Sequence, residues 1–262
     1  MNDLLLFLTH KWRVRMFSFG GSTKKGKKIS DGIYYFAENR MLDCNQYALV
    51  DEETGEIAII DAGNGKSLKG LFEGMEGVGL NPQSITKIFI THEHVDHVLG
   101  LYPLMKQRRQ DPPEILAYGE TAKILRGGDV SQIFPGNLGI RPSMFGVEII
   151  PLDVTEIKED AHVEFGEFFF EIHYTPGHSI GSISYHEPEK KILFPGDLVF
   201  TGGSFGRYDF PGGSLKTLQD SIEYVNKLDV KYLLPGHTGW SDKGNSQIEL
   251  ANRMVHSIGS FY

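Results

Sequence analysis

The chain has 262 residues, of which 40% are hydrophobic and 23% charged, as is typical of a soluble globular protein with a substantial core. Its net charge of -8 disfavours a nucleic-acid binder that relies on a broad basic surface. With Cys44 as its only cysteine, the chain cannot form an internal disulfide, and we expect a cytoplasmic protein.

The N-terminal segment contains a short apolar run at residues 4–8. This run is too short to span a bilayer, and it lacks both a basic segment before it and a small-residue cleavage site after it. We therefore expect neither a membrane segment nor a signal peptide. A basic run that contains one glycine follows at residues 24–28, and its charge predicts a solvated loop tip.

Apolar patterns then predict a series of strands and helices along the chain. Strands are expected at 32–36, 46–50, 56–60, 87–91, 115–118, 147–152, 168–174, 181–185, 191–194 and 231–234, and helices at 66–76, 97–110, 121–126, 215–227 and 247–258. The strands fall into two groups, each with helices between or after them. This order predicts two packed sheets with helices outside, in a single domain that spans residues 1–262.

Residues 127–146 differ from the rest of the chain, because they are rich in glycine and proline and show no periodicity. Loops of this length in compact domains are usually functional or disordered. We predict a surface loop that serves as an active-site lid, with Arg141 as a candidate for contact with the substrate.

A cluster of histidines, T-H-E-H-V-D-H, occupies residues 91–97 at the end of a predicted strand. His92 and His94 can point at one site because alternate residues share a face, and Asp96 and His97 can face a second site nearby. Imidazole and carboxylate groups are ligands that zinc, iron and manganese accept. The cluster therefore predicts a metal site.

Three later strands end in turns of one kind, in which Pro-Gly precedes a residue that can bind a metal. These turns end in His178, Asp197 and His237. Pro-Gly turns are common, but three turns that each present a His or Asp directly after a strand indicate further ligands.

With Asp61 in I-I-D-A-G, these motifs occur in the order typical of the metallo-β-lactamase superfamily, which the chain resembles from about residue 45 to 240. The resemblance implies an α/β fold, the αββα four-layer sandwich of two mixed β-sheets flanked by helices. It also implies a dinuclear centre. In that centre His92, His94 and His178 bind the first metal, Asp96, His97 and His237 bind the second, Asp197 bridges them, and Asp61 holds a ligand histidine by a hydrogen bond.

The pattern G-S-x-G-R-x-D-x-P-G-G at residues 203–213 resembles the glyoxalase II group of hydroxyacylglutathione hydrolases and their relatives. Glyoxalase II enzymes carry a helical C-terminal domain that binds glutathione, whereas only a short segment follows His237, so we do not carry over the glutathione-binding residues. The resemblance implies a metallo-hydrolase of a thioester or related ester, in which Asp96 accepts a hydrogen bond from a metal-bridging hydroxide. Arg207 is a candidate catalytic residue, or it fixes its loop through Asp209, and Tyr208 is a candidate for the substrate pocket.

The expected cofactors are two divalent ions, with zinc favoured and iron or manganese as alternatives. The expected partner is a small-molecule thioester or ester, without nucleic acid or membrane, and a homodimer is compatible with the sequence. One alternative function resembles the persulfide dioxygenases, which hold a single iron through the residues matching His92, His178 and Asp197. Others are a lactonase or phosphoesterase on the same centre, and a non-catalytic binding module.

The remaining histidines lie outside the family pattern. We interpret them as surface or structural residues, although one of them is close in sequence to a predicted ligand. They are His10, His162, His173, His186 and His256.

Overall fold

A computed structural model describes residues 23–39, 42–134, 139–158 and 161–258. The first sheet contains β1 (Gly26–Ser30), β2 (Ile33–Phe36), β3 (Gln46–Val50), β4 (Ile57–Ile60), β5 (Ile85–Phe89), β6 (Glu114–Tyr118) and β7 (Thr155–Ile157). The second contains β8 (His162–Phe165), β9 (Phe168–Tyr174), β10 (Ile183–Glu187), β11 (Ile192–Phe194) and β12 (Tyr232–Leu233). The α-helices are α1 (Leu68–Gly77), α2 (Val95–Val98), α3 (Leu101–Gln107), α4 (Gly119–Gly127), α5 (Val130–Ile133), α6 (Leu215–Val225) and α7 (Gly244–Ser257).

Both sheets are mixed, as predicted. In the first sheet β1 to β4 pair antiparallel and β4 to β7 pair parallel, in the order of the chain. The second sheet has the order β12-β11-β10-β9-β8, with β11 and β12 parallel. Because β10 lies antiparallel between β9 and β11, the strands β9, β11 and β12 all run in one direction. Their carboxyl ends therefore meet at one edge of the sheet.

Three apolar layers hold the four structural layers together. An aromatic core between the sheets contains Phe89, Phe170, Tyr185 and Phe194, all fully buried. A second core packs α1 to α5 on the outer face of the first sheet, and a third packs α6 and α7 on the outer face of the second. This arrangement confirms the αββα sandwich.

Some elements differ from the sequence-based prediction. Residues 147–152 do not form a strand, whereas β1, β7 and β8 were not predicted. The single helix predicted at 97–110 is divided into α2 and α3 around Gly100. A Cβ atom on Gly100 would lie 1.8 Å from the Ala62 carbonyl oxygen, so the chain comes too close to the β4–α1 connection for any side chain here.

The prediction of a solvated basic loop tip at residues 24–28 was wrong for Lys24 and for the loop, whereas Lys25, Lys27 and Lys28 are exposed. Lys24 is 1% exposed, and its Nζ lies 2.8 Å from Asp43 Oδ2 and donates hydrogen bonds to Gln46 Oε1 and the Cys44 carbonyl oxygen. The following residues form β1 at the edge of the first sheet. The run is therefore an edge strand preceded by a buried lysine.

The described part of residues 127–146 contains α5 and a short 3-10 turn at Pro142–Met144. Ile133 and Phe134 are buried in the outer core of the first sheet. The lid role of this segment stays a prediction. Across the described residues, no helix is long and apolar enough to cross a membrane.

Candidate metal centre

The strand ends bring all seven predicted ligands to one edge of the sandwich. The first sheet supplies four of them, from the loop after β5 and from α2, and the second supplies three, from the turns after β9, β11 and β12. In chain order they are His92, His94, Asp96, His97, His178, Asp197 and His237.

His92, His94 and His178 form a buried group, in which one nitrogen of each ring lies within 4.8 Å of the others. His94 Nδ1 is 2.8 Å from His178 Nε2. The structure therefore brings together the three imidazoles that the family resemblance assigns to the first metal.

Asp96, His97 and His237 form a neighbouring group of the same size. Asp96 Oδ2 lies 3.2 Å from His237 Nε2 and 4.0 Å from His97 Nε2. These are the residues that the resemblance assigns to the second metal.

Asp197 contacts both groups. Its Oδ2 lies 3.5 Å from His178 Nε2 and 3.2 Å from His237 Nε2, and its Oδ1 lies 3.3 Å from His97 Nε2. A carboxylate in this position can reach two cations at once, which supports its assignment as the bridging ligand.

Four of the five ligand histidines are held at Nδ1, which leaves Nε2 to face the centre. The Nδ1 of His97 lies 2.8 Å from Asp61 Oδ2, as the resemblance implied. The other partners are Thr91 Oγ1 for His92, the Arg207 carbonyl oxygen for His178 and Glu38 Oε2 for His237. Such contacts orient metal-binding imidazoles and raise their basicity.

The residues fit a divalent metal, because three of their buried polar atoms have no partner in the protein. Among the described residues, His92 Nε2, His97 Nε2 and Asp197 Oδ1 are buried and have no hydrogen-bond partner. Buried polar groups normally have one. Three unsatisfied atoms that face a common point, all of them nitrogen or oxygen donors, are what a cation at that point would satisfy.

Burial and mutual charge set the ionisation of the centre. Burial lowers the pKa of His94 and of His178 to about 4, and these rings are therefore neutral at pH 7, as ligation requires. Burial opposes the ionised form of Asp96, but His97 and His237 outweigh it and lower the Asp96 pKa to about 2. Burial also opposes the charged form of His237, but Asp197 raises the His237 pKa far above its ordinary value.

Two glycines keep the backbone close to the bridging carboxylate. A Cβ atom on Gly236 would lie 2.3 Å from Asp197 Oδ1, and one on Gly206 would lie 1.9 Å from the Asp197 carbonyl oxygen. The turn before Asp197 also needs glycine, because Gly196 has a φ of +52°. These glycines, two of them in Pro-Gly turns, therefore let three segments meet at a distance that any side chain would increase.

The centre opens into a cavity of about 450 Å³. Phe200, Phe205 and Phe210 give it an aromatic wall, and Phe210 lies edge-on to the His94 ring at 5.6 Å. None of the described residues of 127–146 lines it, nor does Tyr208, which packs against the core under α6 and α7.

Arg207 stands at the rim of this cavity. Its guanidinium donates two hydrogen bonds to Asp209, at 2.9 and 2.6 Å, and lies over the Phe210 ring. Since its donors are directed at Asp209, the structure supports the loop-fixing alternative, and the contact of Arg207 with the centre is through its carbonyl oxygen.

Glu38 was not predicted from the sequence. Besides holding His237, its Oε1 accepts a hydrogen bond of 2.9 Å from the Thr238 backbone N–H. Nearby, the Asn45 amide donates to the carbonyl oxygens of Pro235 and Thr238. Nearly 200 residues separate these partners along the chain, so no local pattern marks them.

Comparison with known proteins agrees with this geometry. Residues 40–237 match the family model of the metallo-beta-lactamase superfamily. The chain is 30% identical to hydroxyacylglutathione hydrolase GloC of Haemophilus influenzae, over 76% of this chain and 88% of that protein. It is 29% identical to the human acyl-coenzyme A thioesterase MBLAC2, over 80% of each chain.

A solved structure of TTHA1623 in a di-iron-bound form is also similar, with a TM-score of 0.62 and 26% identity. The match covers 83% of this chain and 96% of that one. The fold, the order of the ligand motifs and the family model agree, and the relatives include hydroxyacylglutathione hydrolases, as the glyoxalase II-like resemblance implied. The chain therefore belongs to the metallo-beta-lactamase superfamily of metal-dependent hydrolases.

Proposed function

We propose that this chain is a dinuclear metal-dependent hydrolase that cleaves thioesters or closely related esters. The observation that carries the proposal is the convergence of seven nitrogen and oxygen ligands, three of them with buried unsatisfied atoms. Similarity to a hydroxyacylglutathione hydrolase and to an acyl-coenzyme A thioesterase supports the choice of a thioester.

The surroundings of His237 favour two metals over one. A mononuclear centre of His92, His178 and Asp197 would give no role to the second group. Yet His237 is held by Glu38 in the same way that His97 is held by Asp61. Both rings of the second group are thus prepared as ligands, which favours the hydrolase over the persulfide dioxygenase alternative.

When bound, two divalent ions supply hydroxide at neutral pH and polarise an acyl carbonyl oxygen. The residues of this chain would hold the ions and orient the attacking water. The Asp96 carboxylate is well placed to accept a hydrogen bond from that water, because it is ionised and 14% exposed towards the cavity. A thiolate leaving group needs little protonation, so the reaction requires no separate general acid.

The aromatic wall of the cavity is suited to an apolar acyl group. Phe200 packs edge-on to the His237 ring, with ring centroids 5.6 Å apart, so a group lying on this wall is adjacent to the second ligand group. Arg207 is then a positioning residue, since its carbonyl oxygen holds His178 while its side chain fixes the rim of the cavity.

Activity on a panel of glutathione and coenzyme A thioesters, simple esters, lactones and phosphodiesters tests the proposal. We expect thioester cleavage that depends on added zinc, iron or manganese and is abolished in His94→Ala and Asp197→Ala, because each substitution removes a proposed ligand. His162→Ala is the matched control, because His162 is exposed and lies outside the centre. Retention of most activity in either ligand variant would contradict the site assignment.

The same panel separates the alternatives. One iron per chain with oxygen uptake on a persulfide would favour the dioxygenase. Cleavage of lactones or phosphodiesters in preference to thioesters would move the substrate assignment while leaving the metal centre intact.

A further inference from the structure

A second group of metal-binding side chains lies on the outer face of the second sheet. Glu171 and His173 are two residues apart on β9 and so share a face, and His186 is the cross-strand partner of Glu171 on β10. His186 also pairs with Leu193 on β11, which packs against α6 and α7. The group therefore lies on the face covered by helices.

The ligand atoms converge. One atom of each of the three side chains lies within 4.8 Å of the other two. Glu171 Oε2 is 3.4 Å from His186 Nδ1 and 3.6 Å from His173 Nε2, and the two imidazole ring centroids are 5.5 Å apart. One carboxylate oxygen thus faces both rings.

The two histidines are not satisfied by the protein. Among the described residues, His173 Nε2, the nitrogen that faces Glu171, is buried and has no hydrogen-bond partner. His186 faces Glu171 through Nδ1, at a long contact of 3.4 Å, and its Nε2 is also buried without a partner. The side chains of His186 and His173 are 6% and 12% exposed, so water does not readily replace the missing partners. An ordinary structural histidine in a core has its ring nitrogens bonded.

The other nitrogen of His173 is already held. Its Nδ1 lies 2.9 Å from the Tyr224 hydroxyl on α6. This contact resembles those of the main centre, in which Nδ1 is held and Nε2 faces the metal.

We propose that Glu171, His173 and His186 form a separate zinc site that joins β9 to β10 and, through Tyr224, to α6. Two imidazoles and one carboxylate are a donor set that Zn²⁺ accepts with water as the fourth ligand, at distances of about 2.0–2.2 Å. Glu171 is about half exposed, and this leaves room for that water and for the small inward rotation that such distances require.

Zinc content of the metal-depleted full chain after dialysis against micromolar Zn²⁺ tests the site. We expect Glu171→Gln/His173→Ala to hold one zinc fewer per chain than the wild type. His256→Ala is the control, because His256 is an exposed histidine on α7 whose Nδ1 lies 2.8 Å from the Asn252 carbonyl oxygen, and it is not one of the three side chains of this group. An equal zinc content in the double variant and the wild type, or the same loss in His256→Ala, would overturn the proposal.

A second measurement guards against misfolding of the double variant. Glu171→Gln alone changes a half-exposed side chain, and it should weaken this zinc by about tenfold or more. Zinc should also slow hydrogen exchange in β9 and β10 of the wild type more than in Glu171→Gln, and equal protection would overturn the proposal. Because these readouts compare zinc binding between variants, they remain interpretable if thioester hydrolysis is not observed.

Discussion

Glu38 offers the sharpest test of how the second ligand group is held. Its two carboxylate oxygens accept hydrogen bonds from two donors, His237 Nδ1 at 2.7 Å and the Thr238 backbone N–H at 2.9 Å. In Glu38→Gln the side chain keeps its size but has only one acceptor oxygen, since its amide group can only donate. One of the two donors must therefore face another donor.

The expected loss follows from this geometry. Removing the hydrogen-bond partner of a ligand histidine typically reduces metal affinity by about 10–100-fold, or about 1.4–2.7 kcal/mol. His237 is 22% exposed at its side chain, and water can partly replace the lost contact, so we expect the lower half of this range. The first ligand group has no contact with Glu38 among those described, and its metal should keep its affinity.

Stepwise zinc titration against a chelator of known affinity measures the two sites of this centre, and any zinc at the Glu171 group should bind equally in the variant and the wild type. Glu164→Gln is the control, because Glu164 is exposed and lies on β8 away from the centre. Weakening of one metal only, with a matching loss of activity at limiting zinc, is the predicted result. Wild-type affinity at both sites would refute the idea that Glu38 prepares His237 for ligation.

Three further outcomes follow. Gly236→Ala should displace the Asp197 carboxylate and lower the metal content of the chain. Gly239→Ala is the control, because a Cβ atom there meets nothing within 4 Å, and its metal content should match the wild type when both variants are measured by elemental analysis. Lys24→Met should lower the free energy of unfolding, measured in urea, by about 3–5 kcal/mol, because it leaves the buried Asp43 carboxylate without its charged partner. Lys28→Met is the control and should have little effect, because Lys28 lies at the surface. Chelation should lower the thermal midpoint by roughly 8–16 °C for each metal removed, if a free metal concentration of 1,000 times Kd contributes about 4 kcal/mol at one site, and an unchanged midpoint after verified metal loss would contradict this linkage.

The candidate metal ligands could be predicted from sequence because they lie shortly after strand ends, four of them in the loop and helix after β5 and three in Pro-Gly turns. A buried strand, a Pro-Gly turn and a His or Asp form a local pattern, and parallel strand ends meet at one edge. The direction of β9, β11 and β12 then brings His178, Asp197 and His237 together. The order of these motifs, with the family resemblance, was sufficient to predict the fold.

Residues that depend on distant pairing could not be predicted in this way. Glu38 reaches His237 only because β2 and β12 end near each other in the folded sandwich, and Lys24 is buried only because Asp43 lies opposite it. The charge of residues 24–28 suggested solvent exposure, which Lys25, Lys27 and Lys28 have, but at Lys24 a buried partner outweighed it. Likewise, His173 and His186 have no motif, since the register of β9 and β10 alone brings them to one face.

The aromatic wall and the metal ligands form one structural unit, and this limits how substrate preference can change. Gly206 presses against the backbone of Asp197, between Phe205 and Arg207, so the wall and the bridging ligand cannot move independently. Phe210 and Phe200 also touch ligand imidazoles. A shift of the backbone at Gly206 would move Asp197 and so alter the proposed metal site. Changes in substrate preference are therefore expected from substitutions of the wall side chains Phe200, Phe205 and Phe210, with the backbone unchanged. Under the proposed function, the segment that follows Asp197 would therefore serve both the binding of metals and the selection of the acyl group.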